Sequence, residues 1–502
     1  MPALSSPSPA AVDLLIVGGG INGVGIARDA AGRGLSVLLC EKGDLAGATS
    51  SASSKLIHGG LRYLEYGEFR LVREALRERE VLLASARHII RPLRFVLPHD
   101  RRSRPRWMIR AGLFLYDHLG GRRELPATET IDAAHHPFGA PLRQGVRTAF
   151  IYSDCWVDDA RLVILAARDA KQRGATILTH TALIAARRED GLWRATLADA
   201  AGRHTPVSAR VLVNAGGPWV KDVLRRSGLE HRHAELRLVK GSHIVVPRLY
   251  EGEHAYLLQN DDRRVIFVLP FAEAFTLIGT TDVSYAGDPA QVATNAEEVD
   301  YLCRAVSSWF ARPLERRQVI WTYAGVRPLH DDHAANAAAV TRDYLLDLDG
   351  EGAPILSVFG GKITTHRRLA EHALEKLRGY FPAMGRPWTA SARLPGGDLP
   401  EGGAPALAAM LVAEHPWLDR ATAVRLAGNY GSLVRDLLAG AHRREDLGED
   451  FGAGLAVREV DWLVNEEWAR SADDILWRRS KLGLRFAPPE QQALARYLVG
   501  RR

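Results

Sequence analysis

Three glycines near the N-terminus have the spacing of a site that holds a dinucleotide. Gly18, Gly20 and Gly23 follow the order G-x-G-x-x-G, directly after the apolar run Asp13 to Val17 and before a stretch of helical character. Glycines at these positions allow a tight turn and a close approach of the backbone to a pyrophosphate, which the N-terminus of the next helix attracts. A glycine turn without a ligand is the alternative, and the flanking strand and helix make it the weaker one.

An acidic residue supports the same interpretation. Leu35 to Cys40 form a second apolar run, and Glu41 follows it. An acid at this point hydrogen-bonds ribose hydroxyls, whereas an arginine would favour a 2′-phosphate. The pattern predicts a βαβ dinucleotide fold but does not separate NAD from FAD. The small hydroxyl residues from Thr49 to Ser54 allow backbone to approach a flat ring system and a phosphate, which favours a flavin.

The composition is that of a globular protein with more than one domain. The 502 residues, 46% of them hydrophobic and 25% charged, exceed the roughly 250 to 300 at which one core usually divides. The three cysteines are far apart and lack CxxC spacing, which indicates a reducing cytosol. The first eleven residues are rich in proline and serine and predict a disordered tail. No apolar run approaches the roughly 18 residues of a membrane span, so any membrane contact is expected to be peripheral.

The net charge of +7 favours anionic partners such as phosphates, acidic lipids or nucleic acid. The segment from Arg87 to Arg110 contains eight arginines and a single acid, Asp100, with Phe95 and Trp107 between them. This pattern predicts attachment to an anionic membrane surface, with a solvated basic loop as the equal alternative. The absence of a recognition-helix signature, an RNP motif or zinc spacing argues against nucleic acid and against a metal site.

The remaining pattern predicts the elements around these residues. The stretches KGSHIVVP, RVIFVLPF and FTLIGTTDV are apolar or alternating and rich in β-branched residues, which predicts a second, mainly antiparallel sheet. SVFGGKITTHRRLAEHAL reads as a strand, a glycine turn and a helix. The predicted fold is therefore α/β: a Rossmann-like FAD-binding domain with a parallel sheet, a substrate domain with an antiparallel sheet, and an all-helical C-terminal domain.

The expected domains are discontinuous in sequence. LPGGDLPEGGAP, rich in glycine and proline, marks a linker before the helical part. The predicted ranges are 1–11 for the tail, 12–80, 150–235 and 330–390 for the FAD-binding domain, 81–149 and 236–329 for the substrate-binding and membrane-facing domain, 391–404 for the linker, and 405–502 for the helical domain.

Seven motifs occur in order along nearly the whole chain from Asp13: GGGINGVGIARDAAGRGLSVLLCEK, ATSSASSKLIHGGLRYL, YSDCWVDDARL, KGSHIVVP, IGTTDV, WTYAGVRPL and FGGKITT. Together they resemble the FAD-dependent, aerobic, membrane-associated glycerol-3-phosphate dehydrogenases. The resemblance implies FAD as cofactor and oxidation of sn-glycerol 3-phosphate to dihydroxyacetone phosphate, with hydride passing from C2 to the flavin N5 and electrons to a membrane quinone. The basic segment and the lack of an apolar run long enough to span a bilayer predict a protein held peripherally at the cytoplasmic face of the cell membrane, and a homodimer remains open.

Oxidation of this substrate needs a phosphate clamp, a base for the hydroxyl proton and a group that holds the alcohol oxygen. By resemblance, Arg62 and Arg327 form the clamp, since a guanidinium pairs with phosphate oxygens in a fork. His58, beside paired glycines, is the expected base, and His243 is the competitor or a wall of the pocket. Lys362 is expected to hold the developing alkoxide or the negative charge of the reduced flavin. The catalytic set is thus His58, Lys362 and Arg327.

The other expected contacts follow from position and resemblance. The further substrate contacts are Tyr63, Thr280 and Thr281. The expected cofactor contacts are Gly18, Gly19, Gly20, Asn22, Gly23, Glu41, Lys42, Thr49, Ser50, Ser51, Ser54, Lys55, Leu56, Gly59, Gly60, Asn214, Ala215, Gly216, Gly361, Lys362 and Thr364.

Two other enzyme activities remain open at this stage. A glycerol-3-phosphate oxidase would keep the substrate and pass electrons to oxygen, because small changes in access to the flavin decide the acceptor. An amine-oxidising flavoenzyme of the same broad fold would use Arg62 and Arg327 to hold a carboxylate instead of a phosphate.

Overall fold

The computed structural model describes residues 11–100, 103–121, 124–229, 236–262, 264–279, 282–330 and 343–501. Most of the predicted tail therefore lies outside the described residues. Within these ranges the strands are β1 Val12–Val17, β2 Val37–Cys40, β3 Leu56–Ile57, β4 Ile90–His99, β5 Glu129–Asp132, β6 Thr148–Val157, β7 Thr176–Leu178, β8 Thr181–Glu189, β9 Leu192–Asp199, β10 His204–Asn214, β11 Leu236–Pro247, β12 Ala255–Gln259, β13 Val265–Phe271, β14 Phe275–Gly279, β15 Val283–Ser284, β16 Trp321–His330, β17 Leu345–Asp349 and β18 Ile355–Phe359. The helices are α1 Ile21–Gly32, α2 Phe69–Ser85, α3 Arg106–Leu119, α4 Asp159–Gln172, α5 Val220–Arg226, α6 Ala296–Ser307, α7 His366–Leu377, α8 Gly403–Glu414, α9 Arg420–Tyr430, α10 Val434–Leu438, α11 Val457–Glu467 and α12 Pro488–Val499.

The first sheet has the strand order β17-β18-β10-β1-β2-β7, and β8 and β9 extend it from β10. β1 pairs in parallel with both β2 and β10. The central strands are apolar runs because both of their faces are covered, as parallel sheets require. Helices α4 and α7 pack against α1. This is the predicted Rossmann-like domain, and the glycine turn joins its central strand to α1.

The second sheet has the strand order β15-β11-β14-β13-β12-β4-β6-β3, with β16 paired to β11 and β5 to β6. Its pairs are antiparallel except for β12 and β4. β16 lies along β11 over ten residue pairs, which brings Val239 opposite Arg327 and His243 opposite Tyr323. The predicted mainly antiparallel sheet is therefore present, and its register brings together residues that are far apart in sequence.

The C-terminal part is helical, as expected, and has its own apolar core. Ser471 and Asp474 form a capping box, since Asp474 N donates to Ser471 Oγ at 3.2 Å and Ser471 N donates to Asp474 Oδ2 at 2.9 Å. The turn that follows, Asp474–Arg479, is a π-helix. It packs back onto the first domain.

The interpretation of the arginine-rich segment as one membrane-binding stretch was wrong in part. Its first half is β4, an interior strand of the second sheet, in which Phe95 is fully buried. Arg94 and Arg104 pair with carboxylates of distant segments. The apolar residues of β4 face the core, which sequence composition could not reveal. Of the residues of this segment that the structure describes, only those of α3 expose large apolar side chains, among them Trp107 at 70% exposure.

Sheet membership differs from the predicted domain ranges at two strands. β3 and all but the first two residues of β6 fall in ranges assigned to the FAD-binding domain, yet both strands belong to the second sheet. β6 pairs with β4 over ten residue pairs, from Ile90 opposite Val157 to His99 opposite Thr148. A hydrophobic pattern identifies a strand but not its partner, so the boundary at residue 150 falls inside β6.

Candidate active site

The first glycine turn has no room for larger side chains. Gly18 has φ +116°, and a Cβ on it would lie 2.3 Å from the carbonyl oxygen of Ala215. A Cβ on Gly23 would lie 1.9 Å from the carbonyl oxygen of Gly18. The Ala215 and Gly18 backbones approach because β1 and β10 end side by side, with Val17 opposite Asn214. This is the close packing that a pyrophosphate cradle requires.

The side chain of Glu41 is hydrogen-bonded to the backbone of the first glycine turn. Its Oε2 accepts a hydrogen bond from Gly19 N at 2.7 Å and its Oε1 accepts one from Gly43 N at 2.8 Å. A carboxylate has about four acceptor positions, so capacity for ribose hydroxyls remains. Next to it, the Lys42 amine lies 3.4 Å from the ring centroid of Trp219, which links the loop after β2 to the turn after β10.

A second glycine turn meets the first. Asn22 Nδ2 donates to the carbonyl oxygen of Gly360 at 3.1 Å, and a Cβ on Gly361, whose φ is +95°, would lie 2.8 Å from that nitrogen. Asn22 Oδ1 and Lys362 Nζ are buried and have no hydrogen-bond partner among the described residues. Two opposed glycine turns with unsatisfied polar atoms between them fit a polar cofactor such as FAD.

A cavity of about 1530 Å³ adjoins these turns. It is lined by residues from the segment after β2, from the second sheet, from α3 and α6, and from the second glycine turn. Thirteen of the predicted site residues line it: Thr49, Ser50, Ser54, Leu56, His58, Gly60, Arg62, Tyr63, His243, Arg327, Gly361, Lys362 and Thr364. The predicted residues Thr280 and Thr281 lie outside the described residues.

Two arginines and a lysine face this cavity. Arg62 follows Gly60, whose φ of +79° turns the chain there, and Arg327 lies on β16. Arg327 Nη1 is 2.5 Å from Asp282 Oδ1, at a side-chain exposure of 32%. The Lys362 amine lies 3.9 Å from the ring centroid of Tyr63. The lining is therefore cationic on one side, which suits an anionic ligand.

The backbone on either side of His58 is fixed by buried polar groups. His58 N donates to Thr364 Oγ1 at 3.3 Å. Gly59 N donates to the hydroxyl of Tyr116 at 2.8 Å, and that hydroxyl donates to Asp154 Oδ2 at 2.8 Å. Burial raises the pKa of Asp154, although the charge of Arg79, 2.8 Å away, opposes this.

Tyr116 and Asp154 were missed as site residues. Asp154 is part of the quoted motif YSDCWVDDARL, but no feature of the sequence joins it to Tyr116 on α3 or to the backbone of Gly59. The contact arises because α3 packs over the second sheet, where Tyr116 and Tyr152 meet edge to face with ring centroids 5.8 Å apart.

His243 is a buried, neutral wall of the cavity. Its Nε2 is 2.9 Å from Ser54 Oγ, and its ring stacks on Tyr323 with centroids 4.6 Å apart. Burial, and then the charges of Lys55 and Arg327, hold the pKa of His243 well below its usual value. A stacked and neutral imidazole at this place shapes the pocket.

Two of the predicted cofactor contacts point elsewhere. Lys55 is buried, and its amine pairs with Asp159 Oδ1 at 2.8 Å, so it does not line the cavity. The Ser51 hydroxyl donates to the carbonyl oxygen of Ala48 at 3.3 Å within its own turn. The sequence identifies the small residues of this segment. It does not identify Asp159 as the partner of Lys55, because that carboxylate lies 104 residues later in the chain.

Comparisons with known proteins agree with this arrangement. Residues 13–367 match the family described as FAD dependent oxidoreductase, and residues 388–498 match the C-terminal domain of alpha-glycerophosphate oxidase. A glycerol-3-phosphate dehydrogenase of Pseudomonas aeruginosa is 54% identical over 98% of this chain and 96% of its own length. A D-erythritol 1-phosphate dehydrogenase of Brucella abortus is 51% identical over 97% of this chain and 98% of its own length.

A solved structure extends the likeness to three dimensions. The glycerol-3-phosphate dehydrogenase from Bacillus halodurans complexed with FAD has a TM-score of 0.76 and 25% identity, and the match covers 98% of this chain and 95% of that one. The chain therefore belongs to the FAD-dependent glycerol-3-phosphate dehydrogenase family, and FAD is its cofactor.

Proposed function

We propose that the protein oxidises sn-glycerol 3-phosphate at C2 to dihydroxyacetone phosphate and passes the electrons to a membrane quinone. The observation that carries this proposal is the cavity wall, where Arg62, Arg327, Lys362 and His58 converge beside the two glycine turns. These residues provide a phosphate clamp, a group for the alcohol oxygen and a base. When bound, FAD supplies the acceptor for the two electrons that the alcohol carbon loses.

The phosphate end of the substrate would be bound by Arg62 and Arg327. A phosphate offers three acceptor oxygens, and a guanidinium fork can bind two of them at once. Arg327 already pairs with the carboxylate of Asp282. A substrate phosphate would therefore compete with Asp282 for this guanidinium, and its greater charge favours the phosphate.

The hydroxyl proton would be taken by His58. A base must reach the proton and must be able to hold it near neutral pH. His243 is a poor candidate because burial and two nearby cations depress its pKa, and because its Nε2 contacts Ser54. His58 is half-buried at the cavity surface. Lys362 Nζ, without a hydrogen-bond partner among the described residues, would hold the oxygen as the proton leaves.

Access for a quinone and peripheral attachment to an anionic membrane would come from α3. Its apolar residues Trp107, Met108, Phe114 and Leu115 are between 41% and 70% exposed. Met108 and Leu115 also line the cavity, so an apolar molecule lying on this helix would be near the site. Among the described residues, no helix has the length and apolarity to cross a bilayer. The attachment through α3 would be peripheral, and the face of the membrane that we propose for it is the cytoplasmic one.

A second substrate is supported by one observation. The D-erythritol 1-phosphate dehydrogenase of Brucella abortus is 51% identical over nearly the full chain, only three percentage points below the glycerol-3-phosphate dehydrogenase of Pseudomonas aeruginosa at 54%. D-erythritol 1-phosphate also presents a phosphate and a secondary alcohol, so the same clamp and base would serve it. The difference would lie in the room for one additional hydroxymethylene unit.

Steady-state assays on the purified holoenzyme separate these possibilities. We expect the highest kcat/KM with sn-glycerol 3-phosphate, a lower value with D-erythritol 1-phosphate, and no turnover with glycine or sarcosine. Preference for the tetritol phosphate would reassign the substrate, and activity with amines alone would reject the phosphate clamp. For the acceptor, a quinone analogue in anionic vesicles should be reduced faster than oxygen is consumed. Rapid, stoichiometric peroxide formation would favour the oxidase.

A further inference from the structure

We propose that one turn of the C-terminal helical domain, Asp474 to Lys481, positions the cofactor loop after β2 and thereby sets the affinity of the protein for FAD. The residue that transmits this effect is Arg479, which does not line the cavity. This role is independent of the substrate, because it concerns the glycine turn alone. It also gives the helical domain a function in the reaction.

The contact is a buried cluster of charges. Asp44 is 6% exposed and Arg479 is fully buried. Arg479 Nη1 donates to Asp44 Oδ2 at 2.8 Å and its Nη2 donates to Asp44 Oδ1 at 2.7 Å, which is a two-pronged pair. Arg478 Nε adds a third hydrogen bond to Asp44 Oδ2 at 2.6 Å. The carboxylate of one domain is thus bound by two guanidinium groups of the other.

Asp44 lies in the loop that closes on the first glycine turn. In that loop, Ala46 N donates to the carbonyl oxygen of Gly19 at 3.1 Å, while Gly19 N donates to Glu41 at 2.7 Å. Leu45 Cδ2 would lie 2.7 Å from a Cβ on Gly19, so the loop and the turn are in direct contact. A shift of Asp44 would therefore move both the backbone of Gly19 and the carboxylate expected to bind ribose.

Arg479 is itself held in place from the other side. Its Nη2 donates to the carbonyl oxygen of Glu467 at 2.7 Å, and the Glu467 side chain pairs with Arg161 on α4, both of them fully buried. The guanidinium therefore bridges α11 and the cofactor loop. Because these charges are buried, removing Arg479 leaves Asp44 with Arg478 as its remaining charged partner, which destabilises the local arrangement.

Two further contacts anchor the same turn without touching the glycines. Lys481 Nζ is 2.6 Å from Asp158 Oδ1, at the N-terminus of α4. Trp477 stacks on Trp321 of β16 with ring centroids 4.5 Å apart. They hold the turn against α4 and the second sheet, so that a substitution of Arg479 would change its contact with the cofactor loop and leave the domain docked.

The test is the dissociation constant of FAD, measured by fluorescence titration of the apoprotein. Arg479→Met should raise this constant roughly tenfold or more, since hydrogen bonds to charged groups are worth about 1.5 to 3 kcal/mol. Arg479→Lys should recover part of the loss. The matched control is Arg425→Met, which breaks the pair of Arg425 with Glu459 inside the helical domain. That control should lower the stability of the domain and leave FAD binding unchanged.

The proposal is overturned if Arg479→Met and Arg425→Met lower stability alike while the FAD dissociation constant stays at the wild-type value in both. If Arg479→Met does not fold, Asp44→Asn provides the same test from the other partner, since it removes the charge and keeps the shape. An unchanged FAD affinity in Asp44→Asn would then overturn the proposal. No substrate is present in either titration, so the result is independent of the proposed reaction.

Discussion

The two arginines proposed as the phosphate clamp were predicted from sequence, but their surroundings were not. Arg327 pairs with Asp282. Asp282 belongs to the motif IGTTDV, but the motif alone assigned it no role. The glycine turn and Glu41 could be predicted because their spacing is local. Tyr116 and Asp154 could not, because their contact depends on how α3 packs on the second sheet.

Arg327→Ala should raise KM for sn-glycerol 3-phosphate steeply while the protein still purifies with FAD. The lost charge-assisted hydrogen bonds are worth about 1.5 to 3 kcal/mol, so kcat/KM should fall roughly tenfold to a hundredfold. Arg248→Ala is the matched control, since Arg248 directly follows β11 at 29% exposure and pairs with Glu253 outside the cavity. Unchanged kinetics for Arg327→Ala would remove it from the clamp.

His58→Ala should slow reduction of the flavin in stopped-flow experiments, because the hydroxyl proton loses its acceptor. His243→Asn should affect KM more than this rate, since the structure gives His243 a neutral, stacked position in the wall. A normal rate in His58→Ala together with a slow one in His243→Asn would transfer the base to His243.

At the scale of elements, the bounds of helices were predicted more accurately than the sheet position and burial of strands. The residues from Glu68 to Ala84 carry an apolar face that repeats at helical spacing, which predicts the helix observed as Phe69–Ser85. β4 was not recognised, since two arginines, Arg91 and Arg94, interrupt its apolar residues. The guanidinium of Arg94 pairs with Glu129, while Leu93 and Phe95 on either side of it are buried, and this context appears only after folding.

The exposed face of α3 gives a prediction for membrane binding. Trp107→Ser combined with Phe114→Ser should weaken binding to anionic vesicles and lower activity with a quinone in those vesicles. Activity with a water-soluble dye should stay unchanged, because neither residue lines the cavity. Val499→Ser, which alters a residue 66% exposed on α12, is the control. Vesicle co-sedimentation measures the effect, and equal binding by all variants would contradict attachment through α3.

The whole molecule contains several histidines that folding keeps neutral. Burial lowers the pKa of His88 from 6.5 to about 3, and those of His254 and His366 to about 4. His88 has no hydrogen-bond partner for either ring nitrogen among the described residues. In the unfolded chain these imidazoles take up protons below about pH 6.5, so acidification favours unfolding.

The free energy of unfolding should therefore fall between pH 6.5 and about 3, the window set by His88. Each neutral histidine contributes at most about 1.4 kcal/mol per pH unit. His88→Leu should flatten this dependence, as measured by urea denaturation of the holoenzyme at several pH values. His118→Leu, at an exposed position of α3, is the control and should leave the slope unchanged. Equal slopes in all three proteins would contradict a neutral, buried His88.

The most direct test of the account is the absorbance spectrum of the purified holoenzyme under anaerobic conditions, before and after addition of sn-glycerol 3-phosphate. We expect the oxidised-flavin bands to bleach with the phosphate ester and to remain with glycerol, since glycerol offers nothing for Arg62 and Arg327 to hold. Bleaching by glycerol to the same extent, or an unchanged spectrum with the phosphate ester, would contradict a phosphate clamp beside FAD.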